Sequence, residues 1–118
     1  MVEEVEFEFF FTAGEDKTVS LTILIGDSQI GGSSVKVDDQ PVGSPGAIKK
    51  LKLGKGKDLP NKKVEVKTLV ADVSDATDQT SVTYVLEGAE PAKVIARRKV
   101  QNNGDGILYR AQLTFEAA

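Results

Sequence analysis

A chain of 118 residues with fifteen Lys and Arg, eighteen Asp and Glu, and neither cysteine nor histidine excludes much before any motif is read. Without thiols or imidazoles there is no disulfide framework, no thiolate metal site, no Ser-His or Cys-His catalytic pair and almost no route to a protein zinc centre. The net charge of −3 argues against a general nucleic-acid binder, no apolar run approaches the ~18 residues of a membrane span, and Met1-Val2-Glu3-Glu4 reverses the basic start of a signal peptide.

The expectation is a single soluble domain over 1–118, with no cofactor and no membrane insertion, either cytoplasmic or the mature form of an exported protein. Charge is segregated along it. Residues 1–48 hold nine acids and two bases, residues 49–67 eight lysines and two acids, and the rest five bases and seven acids.

From Glu3 to Thr12 the alternation is that of a half-buried strand, with Val5, Phe7, Phe9 and Phe11 on one face and Glu4, Glu6, Glu8 and Phe10 on the other. Phe10 does not fit the acidic face, so either a bulge turns it inward or it stands exposed as the seed of an apolar contact. After the turn 13–17, Val19, Leu21, Ile23 and Ile25 alternate again, and the two runs predict a hairpin. The Gly/Ser-rich stretch 26–34 reads as a loop before a short strand 35–38, and 40–46, with two prolines and two glycines, as another loop. Ile48, Leu51 and Leu53 among Lys49, Lys50 and Lys52 suit a short bulged strand.

The longest apolar alternation lies between residues 62 and 87. Val64, Val66, Thr68 and Val70 share one face, and after the polar run 74–78 so do Thr80, Val82, Tyr84 and Leu86, which predicts a hairpin that anchors the core. Beyond the turn 88–91, Val94, Ala96 and Val100 share a face with Arg98, and an inward arginine marks an edge strand. Asn103-Gly104 predicts a hairpin turn into a last strand with Tyr109, Ala111, Leu113 and Phe115 inward. About eight strands without a helical period predict an all-β fold, an antiparallel two-sheet β-sandwich with immunoglobulin-like or jelly-roll-like layers, with a closed barrel as the alternative.

The motifs that could carry chemistry are few. The apolar strand entering Gly26-Asp27-Ser28 resembles the nucleophile block of GDS-type esterases, and Gly-Asp-Ser also occurs in chymotrypsin-like proteases. Both need a histidine to take the serine proton, and the chain has none. Gly54-Lys55-Gly56-Lys57-Asp58 lacks the glycine spacing and the Ser or Thr of a phosphate-binding P-loop. Asp72, Asp75 and Asp78 recur every third residue with Ser74 and Thr77 beside them, an oxygen set that calcium could use, although Asx-turns account for it without a metal. The candidate binding residues are therefore the cations Lys55, Lys57 and Lys62 and the cluster Arg97, Arg98 and Lys99, which can grip carboxylates. The functional expectation is a non-enzymatic protein-interaction or assembly module, self-association included, with glycan or polyanion binding as the alternative.

Overall fold

The computed structural model describes residues 2–74, 76–100 and 104–118. It is a two-layer β-sandwich whose described residues contain no helix, and so none long and apolar enough to cross a membrane. Among the described residues ten strands carry it: β1 Val2–Ala13, β2 Thr18–Ile25, β3 Ile30–Val37, β4 Gln40–Gly46, β5 Leu51–Lys55, β6 Val64–Ala71, β7 Gln79–Glu87, β8 Ala89–Glu90, β9 Lys93–Lys99 and β10 Gly106–Ala117. The six-stranded sheet runs β4-β3-β6-β10-β1-β8 and the four-stranded sheet β5-β2-β7-β9.

Strict alternation builds the core. Phe11, Ala13, Val64, Val66, Val70, Ile107, Tyr109, Leu113 and Phe115 of the larger sheet close over Val19, Leu21, Val82, Tyr84 and Leu86 of the smaller one. At roughly 1.5–3 kcal/mol for each large apolar side chain fully buried, this set holds the layers together. Two tyrosines enter the core differently. Thr80 Oγ1 donates its single proton to the Arg98 carbonyl at 2.6 Å, so the Tyr109 hydroxyl, also 2.6 Å away, donates to Thr80. The Tyr84 hydroxyl has no hydrogen-bond partner among the described residues, and burial pushes its pKa far up.

The expected hairpins are corrected in detail. β6 and β7 do not pair: β6 lies between β3 and β10, while β7 lies between β2 and β9 in the other sheet. The links β1–β2 and β9–β10 likewise cross between sheets, and Asn103 lies outside the described residues. The physical reason is that an arch lets two one-sided apolar strands cover each other directly, whereas a flat hairpin needs a further layer. The first and last long strands pair parallel, Val2 with Gly106 through Ala13 with Ala117, whereas the other strand pairs among the described residues are antiparallel.

A tight hairpin does occur, at β3–β4, where Asp38 and Asp39 take φ of 49° and 66°. Two consecutive left-handed residues form the turn that suits strand twist, and aspartate tolerates that region. In the sequence, residues 30–34 of β3 and all of β4 read as loop, and only the end of β3 from Val35 as strand. Gly31 belongs in β3 because an added Cβ would lie 2.5 Å from the Leu69 carbonyl oxygen, and the two prolines of β4 are tolerated on an edge strand. The bulge expected near Leu53 is present, with Lys52 opposite Ser20 and Gly54 opposite Val19.

Candidate functional site

Residues pointing away from the core divide the molecule by charge. On the larger sheet β1 presents Glu4, Glu6 and Glu8 outward, opposite Arg110 and Gln112 of β10 and, one strand further, Lys67 and Glu65 of β6. Arg110 pairs with Glu4 at 3.4 Å, whereas Glu6 and Glu8 have no ion-pair partner among the described residues. Phe10 is 58% exposed in an unbroken register opposite Thr114, so the bulge alternative fails. On the smaller sheet Lys52 and Lys55 line the β5 edge, Lys93, Ile95, Arg97 and Lys99 line the β9 edge, and Thr18, Ser20, Thr22, Ser81 and Thr83, with Leu24 and Val85, form the floor between them. Across four strands spaced about 4.8 Å apart the two basic rims stand roughly 14 Å from each other. Glu87 is the single acid among the outward positions of these four strands.

The six cations singled out in the sequence do not converge. Lys55, Arg97 and Lys99 lie on the basic face, and Lys57 sits in the loop beyond β5. Lys62 pairs with Asp38 at 3.6 Å beside the β3–β4 turn, on the other sheet. Arg98 points to the side of the sandwich, where it forms an ion pair with Glu3.

That side holds a feature the sequence pattern did not announce. β1 is bonded to β10 along its whole length, but its opposite edge pairs only at Thr12 and Ala13, with the two-residue β8. From Val2 to Phe11 the outer backbone edge of β1 has no strand beside it among the described residues. The edge of the facing sheet on this side is β9, and the Glu3–Arg98 pair spans the gap between them. Val5, Phe7 and Phe9, on the inward face of β1, are accordingly only partly buried, with Phe7 stacked on Phe9 and Tyr109 and Phe9 tilted against Tyr84. The result is a seam with unpaired backbone, apolar side chains within it and an acidic row above it.

The Asp-rich tip is organised by a residue from elsewhere. Asp27 and Ser28 both take left-handed φ and turn Gln29 into the molecule. Its amide nitrogen lies 2.7 Å from Asp72 Oδ1 and 3.2 Å from both the Thr77 and Gln79 carbonyls, while its Oε1 accepts from Val73 N at 2.7 Å and Ser74 N at 2.9 Å. The amide thus engages Asp72 Oδ1 and two of the carbonyl oxygens at this tip. Asp75 lies outside the described residues, and among those described no three acidic side chains gather as a metal would require.

Asp78 is held above the ordinary 3.8 chiefly by hydrogen bonding to the Asp72 carboxyl, with desolvation and like charge adding to it and Lys99 opposing. A raised folded value means the native state binds this proton more tightly than the unfolded chain. The resulting stability is present below pH 3.8 and is lost as pH rises through the elevated value. Asp78→Asn is expected to flatten that part of the stability curve and to raise the melting temperature near neutrality. Thermal melts across the acid range check this, and an unchanged slope contradicts it.

Comparison with known proteins finds no matching family model, no matching curated protein and no matching solved structure.

Proposed function

We propose that the chain is a non-enzymatic interaction module that accepts an extended protein segment as an added strand along β1. The observation that carries this reading is the unpaired edge of β1 from Val2 to Phe11, lined by half-buried Val5, Phe7 and Phe9. Strand addition draws affinity from main-chain hydrogen bonds and specificity from alternate side chains. Here the inward alternation asks for apolar residues and the outward one, facing Glu4, Glu6 and Glu8, for basic residues. The layers are comparable in architecture to immunoglobulin-like and jelly-roll sandwiches, in which sheet edges and loops supply contact surfaces; that likeness is an analogy of layers alone.

The test is titration with synthetic nine-residue peptides that alternate apolar and basic residues, against scrambled and acidic controls. Expected is saturable binding that weakens with salt and slows hydrogen exchange along Glu3–Phe11. Binding indifferent to the alternation, or protection elsewhere, overturns the reading.

A second reading rests on the basic face. Lys52, Lys55, Lys93 and Arg97 have no ion-pair partner among the described residues and flank a floor that includes five hydroxyl side chains beside Leu24 and Val85, an arrangement that suits a sulfated glycan or another polyanion. Retention on heparin that Lys52→Glu with Lys55→Glu abolishes would support it, and absence of salt-sensitive retention would retire it.

A further inference from the structure

We propose that the segment accepted by β1 is β9 of a second copy, so that two molecules form a closed dimer with both sheets continuous across the seam. The inference rests on the strand-addition reading above and names its partner. Both open edges, β1 of the larger sheet and β9 of the smaller, lie on the same side of the sandwich, where Glu3 meets Arg98. β9 is antiparallel to β7 and β7 to β2, so β9 runs with β2. The short link 14–17 turns the chain back from β1 into β2, so β9 runs opposite to β1.

A two-fold axis parallel to the strands, placed along the seam, lays β1 of each copy antiparallel to β9 of the other and keeps every residue at its own level. The level is fixed by Glu3 and Arg98, which already meet within one molecule. The register that follows sets Val2 opposite Lys99, Glu4 opposite Arg97, Val5 opposite Ala96, Phe7 opposite Val94 and Glu8 opposite Lys93. Each outward acid of β1 except Glu6, which meets Ile95, then faces a base, and the inward apolar residues face apolar residues. The added strand ends at the level of Glu8 and so clears β8, which is bonded only at Thr12 and Ala13.

Arg98 explains why this partner is preferred. An inward charge on an edge strand discourages pairing with strands in general. Only an edge with an inward acid at the same level can accept it, and Glu3 of β1 is that acid. In the dimer two glutamates and two arginines alternate about the axis. Because the same patch serves both copies, association stops at two.

The test uses two surface variants of the full chain, Glu4→Lys with Glu8→Lys, and Lys93→Glu with Arg97→Glu, all exposed positions outside the core. Sedimentation velocity over a concentration series is expected to give a dimer for wild type, weakened by salt, and a dissociation constant raised at least about tenfold in either variant alone. An equal mixture of the two variants should dimerise again, since one ladder regains complementary charges and the other is unaltered in both partners. Circular dichroism and melting temperature establish that each variant is folded. A wild type that stays monomeric at every concentration overturns the dimer. So does assembly beyond two, or a mixture no more associated than its components. A monomer that still binds the alternating peptides along β1 overturns the dimer alone, whereas one that binds none of them overturns the strand-addition reading with it.

Discussion

Gln29→Ala is expected to destabilise the fold by about 3 kcal/mol or more. One side-chain amide satisfies two backbone N–H groups, at Val73 and Ser74, and donates to Asp72, Thr77 and Gln79. Asp72 is 3% exposed and its Oδ1 lies 2.7 Å from the Gln29 amide nitrogen, so losing Gln29 would leave that buried oxygen without this donor. At about 1–3 kcal/mol for each buried polar group left unmade, several such losses add to the figure given. Chemical denaturation would read it directly, with a fall in melting temperature of roughly 10 °C or more for a chain of this length. Gln29→Glu is expected to destabilise as well, because a carboxylate keeps the acceptor but places a second negative charge against Asp72. A loss below about 1 kcal/mol for Gln29→Ala would show that the arch between β6 and β7 is held by something other than this side chain.

Two neighbouring phenylalanines should give opposite results. Phe11 is 2% exposed and stacks on Phe115 with ring centroids 5.3 Å apart, so Phe11→Ala is expected to cost about 3–5 kcal/mol through lost burial and the cavity left behind. Phe10, 58% exposed on the acidic face, should tolerate Ala within about 0.5 kcal/mol. Equilibrium unfolding of the pair tests the register of β1, because a slip of one residue would exchange the two outcomes.

Alternation is a strong signal for which residues face inward. Val5, Phe7, Phe9 and Phe11, and Tyr109 to Phe115, lie on the side the pattern assigns them. It carries no signal for which strand lies alongside. The run from Val64 to Leu86 has the same period whether it folds flat or arches between sheets, and turn residues alone favoured the flat form. The Asp38-Asp39 turn was missed, the strand being read through Asp38, although two residues tolerant of left-handed φ stand there, and the prolines and glycines beyond obscured the returning strand. Gln29 was not legible, since its role depends on Asp27 and Ser28 turning the chain toward a tip more than forty residues away. Nor was the open edge of β1, because an unpaired edge is a property of the topology and not of the strand's own residues.

Amide hydrogen exchange along β1, at a dilution where scattering gives the monomer mass, tests the open seam most directly. Expected is an alternating profile from Glu3 to Phe11, with every second amide held by β10 and slow, and the intervening ones fast until concentration or a bound peptide protects them. Uniformly slow exchange along β1 in the dilute monomer would mean that this edge is already covered, and would contradict the account.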